Sequence, residues 1–159
     1  MKKKIILVAT IVLILIAILI IIFIKKNNKD IQINVEELAL KIAETNSFED
    51  ELIKVDYEMI LKDYNFNKDE IKELVSYQGS GATSEEIVIL EVTDKSNLNS
   101  VKSKIETRLQ ERKEAFQSYL PKEVGKIDNK ILKVQGNYII LCISNDSQTI
   151  NGLLNEYLK

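Results

Sequence analysis

The sequence predicts an α+β domain with a mainly antiparallel sheet of about four strands, packed by helices on one face and preceded by a transmembrane helix. Three observations carry this. The run IILVATIVLILIAILIIIFI is almost wholly apolar. Two stretches rich in β-branched residues, EEIVILEVT and KILKVQGNYIILCIS, have the length and composition of strands. Between and around them, apolar residues recur at helical spacing.

From Ile5 to Ile24 only Thr10 is not hydrophobic. A helix rising about 1.5 Å per residue carries such a stretch across the roughly 30 Å hydrocarbon layer. A cleaved signal peptide has a shorter apolar region, about 7–15 residues, and a small-residue cleavage site. Here the run ends in IIFIKK, so an uncleaved anchor is expected over residues 1–26, with 5–24 meeting the lipid bilayer and 27–33 a short tether. Lys2, Lys3 and Lys4 with the amino terminus slightly outweigh Lys25, Lys26 and Lys29. Counted by the positive-inside rule, they place the amino terminus in the cytoplasm and the domain of residues 34–159 outside the cell membrane.

Five of the 22 basic residues fall within the first 26, which leaves 17 against all 24 acidic ones, a formal charge of −7 beyond the anchor. So acidic a domain is a poor partner for nucleic acid. The single cysteine, Cys142, has no internal disulfide partner. Mid-strand among apolar residues, it reads as an inert buried thiol. The wealth of Ile, Lys and Asn fits a low-GC bacterial genome.

Taken in order, NVEELALKIAE places Val35, Leu38, Ala39, Ile42 and Ala43 on one helical face, with Asn34 as cap and Glu37 completing a capping box. VDYEMILKDYNF predicts a short helix capped by Asp56, with Val55, Met59, Ile60 and Tyr64 inward. Leu74, Val75 and Tyr77 open a first strand, and EEIVILEVT forms a second that is covered on both faces or central in its sheet. A long helix follows, with Leu98, Val101, Ile105, Leu109, Phe116 and Tyr119 in one stripe and Pro121 as its stop. Arg112 falls in that stripe, its stem along the core and its charge at the edge. Gly136-Asn137 joins the arms of a hairpin. Ser147 caps a last helix with Ile150, Leu153, Leu154, Tyr157 and Leu158 on its apolar face.

The chain contains no histidine, which removes the commonest general base, the Ser-His-Asp and Cys-His arrangements and the usual imidazole zinc sites. The acid clusters Glu49-Asp50-Glu51 and Asp69-Glu70 offer an acid/base pair or calcium ligands. Without a calcium-loop pattern, however, they read as solvated faces. No catalytic residue, metal or cofactor follows, and a non-enzyme is expected.

The stretch QGSGATSEE, residues 78–86, is more specified than its surroundings. Two glycines permit unusual backbone angles, and Ser80, Thr83 and Ser84 crowd hydroxyls around amides in a manner suited to an anion. The phosphate-loop pattern fails, because no Lys-Ser/Thr pair follows and the next element is a strand. Two readings stand: a connection between strands, or a contact loop of Gly79, Ser80, Gly81, Ala82, Thr83, Ser84 and Glu85 for an unknown protein or small-molecule partner.

GSGATSEEIVILEV, then RLQERKEAFQSYLP, then GNYIILCIS resembles the family called domain of unknown function 4358, small membrane- or lipid-anchored proteins of Gram-positive bacteria. The likeness runs from about Val35 to Leu158. It implies an extracytoplasmic domain and lends no activity, hence no catalytic residue. Unlike lipoprotein members, this chain has no lipid-bearing cysteine near its anchor. The leading expectation is a membrane-tethered binding or assembly module. The rivals are a small-ligand sensor using residues 79–84 and an envelope hydrolase using carboxylates.

Overall fold

The computed structural model describes residues 12, 14–19 and 32–158. Residues 12 and 14–19 are helical and exposed. The rest of the expected anchor and residues 27–31 of the tether lie outside the described residues. Among the described residues no helix is long and apolar enough to cross a membrane. The chain divides into two units between residues 31 and 32, and the second carries the sheet.

The first helix of that second unit, α1 (Val35–Ala43), buries Val35, Leu38, Ala39 and Ile42, the face that the periodicity predicts. Asn34 Oδ1 accepts from the Glu37 amide at 3.0 Å. The reciprocal arm of the capping box is replaced by a Glu37–Lys41 pair one turn on. Strand β1 (Ile53–Lys54) and helix α2 (Tyr57–Asp63) follow, the helix capped by Asp56 as expected. Its inward residues are Ile60 and Leu61, while Met59 is exposed. The chain leaves α2 through Asn65, whose φ of 53° is a left-handed value that asparagine tolerates.

Strand β2 (Ile71–Gln78) starts three residues before Leu74, and β3 (Glu86–Val92) is buried along its whole length. Helix α3 (Leu98–Gln117) buries Val101, Ile105, Leu109 and Phe116. Tyr119, expected in its stripe, lies beyond its end and is exposed. Pro121 opens a further helix, α4 (Pro121–Asp128). A fixed φ and a missing amide suit proline to a first helical position, so the residue expected as a stop is also a start.

Strands β4 (Ile131–Gln135) and β5 (Tyr138–Ile143) form the expected hairpin. Its positive φ falls on Gly136, at 60°. Helix α5 (Ser147–Tyr157) is capped by Asp146 instead of Ser147, because the Asp146 carboxylate reaches the amides of Gln148 and Thr149 and the Thr149 hydroxyl.

The sheet has five strands, in the order β1-β2-β3-β5-β4, all antiparallel. The strand beyond the expected four is the two-residue β1 at one edge. On one face Leu74, Val88, Leu90, Ile139, Leu141 and Ile143 pack with residues of α2, α3 and α4. The other face carries the buried Val75, Ile87, Ile89, Ile140 and Cys142, and there α1 packs on β2 and β3 with α5 beside it. Helices therefore cover both faces of the sheet, a correction to the single covered face expected. A strand as apolar as β3 needs cover on both sides, since each face left in water would expose two or more large aliphatic side chains.

Candidate functional site

The seven residues from Gly79 to Glu85 join β2 to β3, and the loop is closed at its neck by the Gly79 amide bonding to the Glu85 carbonyl at 3.1 Å. Gly81 takes a φ of 86°, the left-handed region in which a Cβ is strained. Ser80, Gly81 and Ala82 are exposed, while Ser84, Glu85 and the following Glu86 are buried.

The loop does gather hydroxyls and amides around anions, and those anions belong to the protein. Asp50 Oδ2 accepts from the Ser80 amide and hydroxyl, both at 2.7 Å, and from the Thr83 hydroxyl at 3.3 Å. These donors, the Ser80 hydroxyl foremost, hold the Asp50 carboxyl below its ordinary range. Glu123, on the first turn of α4, accepts from the Ser84 amide at 2.8 Å and hydroxyl at 3.0 Å. Burial alone would push its carboxyl up, but the Ser84 donors and the Lys126 ammonium outweigh burial and hold it low.

Glu85 reaches back to the segment before β1, accepting from the amides of Glu49 and Asp50, each at 2.9 Å. It also meets Lys126 Nζ at 3.0 Å, and Lys126 in turn touches Glu49 and Glu123. Burial would lower the Lys126 ammonium, yet its bonds to Glu85 and Glu49 raise it above the usual lysine value.

Glu86 points to the opposite face, toward α3. It accepts from the Tyr64 hydroxyl at 2.7 Å, from Arg108 at 2.9 and 3.0 Å, and from Arg112 at 2.7 Å. Arg108 stacks over the Tyr64 ring at 4.1 Å. Burial and the neighbouring Glu86 carboxylate push the Tyr64 hydroxyl well above its ordinary value, so it stays a neutral donor. Arg112 also donates to the Ser84 and Thr83 carbonyls. Its charge thus enters the interior against Glu86, a correction to the edge position expected from its place in the stripe.

Three buried carboxylates, Glu85, Glu86 and Glu123, are therefore matched by Arg108, Arg112 and Lys126. Chemically the arrangement is a brace. It fastens the loop to α3, to α4 and to residues 49–50, and it offers its carboxylates to donors already in place. Among the described residues no group of three or more His, Cys, Asp or Glu side chains is arranged to hold a metal. Cys142 is buried, and burial raises its thiol far above the ordinary value.

Of the residues singled out in the sequence, the loop members are contiguous and braced. Asp50, expected on a solvated face, is the loop's anchor. Glu70, expected likewise, pairs with Lys104 at 2.7 Å and accepts from Ser100. Tyr64, Glu86, Arg108, Glu123 and Lys126 are not legible in the sequence as a group. The signal present is two glutamates opening a buried strand and two arginines one turn apart on a helix.

A model of the family described as domain of unknown function (DUF4358) matches residues 44–144, well over half of the chain. The chain belongs to the DUF4358 family. The matched DUF4358 segment runs from the end of α1 to the end of β5, and so contains the loop and every residue of the brace. No curated protein and no solved structure matches the chain.

Proposed function

We propose that this DUF4358 protein is a single-pass, membrane-anchored protein of a Gram-positive bacterium. Residues 34–159 act outside the cell as a non-catalytic binding or assembly module, and the loop Gly79–Glu85 is its contact element. The apolar run Ile5–Ile24 and the lysines before it support the anchor and its orientation. The observation that carries the binding reading is the fastening of the loop. Asp50 holds Ser80 and Thr83, and Glu123 and Arg112 hold the buried end at Ser84, which leaves the exposed tip of Gly81 and Ala82 displayed on a rigid base. Preorganisation of this kind reduces the entropy lost on association.

The same bonds speak against the two rivals. A sensor loop needs free donors for its ligand, and the donors of Ser80, Thr83 and Ser84 are occupied by internal carboxylates. A hydrolase needs an acid of raised pKa beside a base, and Asp50 and Glu123 are both held low.

Two experiments test the reading. In intact protoplasts, the protein is expected to stay full length in the membrane fraction while external protease digests residues 31–159; a protected domain overturns the orientation. With a photocrosslinking residue at position 82, a discrete adduct is expected in native membranes. That adduct is expected to vanish in Gly81→Asn, Ser80→Arg chains carrying the same probe and melting normally. An adduct that persists reduces the loop to a strand connection.

A further inference from the structure

The two edges of the sheet are unlike. One ends in β1, two residues long, with Lys54 held by Glu36. The other ends in β4, five residues without bulge or proline, whose register with β5 is unbroken. Among the described residues, the backbone of 131–135 bonds only to β5. An open edge of this length is a template for another strand unless something blunts it.

The charge around β4 tells which strand fits. From Asn129 to Asn145 there is no acidic residue, in a domain with an acidic surplus. Most of the described lysines, from Lys41 to Lys126, meet a carboxylate within 3.4 Å. Among the described residues Lys130 and Lys133 do not, nor do Lys62, Lys95 and Lys122, and Lys133 is held by the neutral Asn155 instead. Val134 is 43% exposed on the same side of the strand as the half-buried Leu132. A second copy of this chain would set these lysines near their own images, with nothing anionic opposite.

We propose that the outer edge of β4 is a docking site for an extended acidic peptide segment of a partner protein, added antiparallel as a sixth strand. Main-chain bonds to 131–135 supply affinity, and the side chains supply specificity. Read antiparallel, partner residues opposite Val134, Lys133, Leu132, Ile131 and Lys130 follow the pattern apolar, acidic, apolar, any, acidic. Opposite residues on paired strands share a face, so each acid meets a lysine and the apolar pair covers Val134 and Leu132. This goes beyond the loop, and its failure is separable from the loop's, because neither Lys130 nor Lys133 touches residues 79–85.

The test uses the full chain in detergent micelles and two capped, fluorescent peptides, TVEVTET and TVKVTKT. Anisotropy is expected to show the acidic peptide binding at least ten-fold more tightly, less so as salt rises. Hydrogen exchange is expected to slow at residues 131–135. In Lys130→Glu, Lys133→Glu chains that keep their circular dichroism, the preference is expected to invert. Binding of neither peptide, a preference unmoved by the charge reversal, or slowed exchange elsewhere overturns the proposal. So does self-association of the free chain through β4, read as cross-linking of Val134→Cys, since that makes a second copy the occupant.

Discussion

Gly79 lies directly against the carboxylate of Asp50. A Cβ placed on Gly79 falls 2.7 Å from Asp50 Oδ2 and 2.8 Å from the Thr83 hydroxyl. Its φ is not in the left-handed region, so the requirement for glycine here is one of space, whereas at Gly81 it is one of backbone angle. The bond that needs the space is the one from Asp50 to Ser80.

The two glycines therefore answer differently to the same test. Gly79→Val is expected to expel Asp50 and lower the melting temperature. The same change in an Asp50→Ala background is expected to cost clearly less, since the partner it displaces is gone. Gly81→Ala is expected to cost about 1 kcal/mol through backbone strain alone, and equally in both backgrounds. Additive losses for Gly79→Val and Asp50→Ala contradict the close fit of Gly79 against Asp50.

Glu86 has no exposure and three partners, so its removal differs in kind from that of a surface acid. Glu86→Ala strands two arginines beside a hydrocarbon core and is expected to destabilise by about 3–5 kcal/mol. Tyr64→Phe takes one hydrogen bond from the carboxylate and keeps the ring under Arg108, and is expected to cost about 1–2 kcal/mol. Replacing all three charges with Glu86→Leu, Arg108→Met and Arg112→Leu is expected to recover most of the loss, as apolar substitutes do for buried ion pairs elsewhere. Urea titrations rank the variants, and a triple variant as unstable as Glu86→Ala rules out stranded charge as the cause.

How far the sequence discloses such a site depends on the range of the interactions. The face of α1, the covered strands β3 and β5 and the hairpin at Gly136 are written in adjacent residues, and each is where periodicity and β-branching place it. Helix α4 hides because its sequence carries a poor helix former, Gly125, and it buries only one apolar residue, Ile127, beside Glu123. Strand β1 hides because two residues make no pattern. The brace hides for a different reason. Glu86 and Arg108 are 22 positions apart, Asp50 and Glu85 are 35, and Ser84 and Glu123 are 39. Each is a polar residue whose partner in these pairs lies outside its own stretch of sequence, and the partners come together only with the tertiary arrangement.

Cys142 sits on β5 facing Ile87 across the ladder and Ile131 on the other side. A thiol whose ionisation burial opposes is a poor nucleophile at neutral pH. Its reaction with a maleimide is expected to be slow in the folded domain, at the rate of unfolding, and fast in denaturant. Equal rates would place the thiol in solvent and leave that face of β5 uncovered.

Acid should loosen the brace, and the sign follows from Glu123. Its carboxyl lies below the ordinary carboxylate value in the fold, because the Ser84 amide and hydroxyl and Lys126 outweigh burial. An acid with a depressed folded value contributes stability that is present above the unfolded carboxylate value of about 4.3 and is lost as pH falls through the folded one. Asp50 shifts in the same direction, by way of Ser80. The melting temperature is therefore expected to hold level near neutrality and to fall as pH drops below about 4.5. Glu123→Gln keeps an acceptor for Ser84 but gives up the titrating group. It is expected to be less stable than the native chain at pH 7 and to approach it in acid. A constant gap between the two curves across that range would mean that Glu123 does not titrate with folding, and the brace would then owe nothing to its charge.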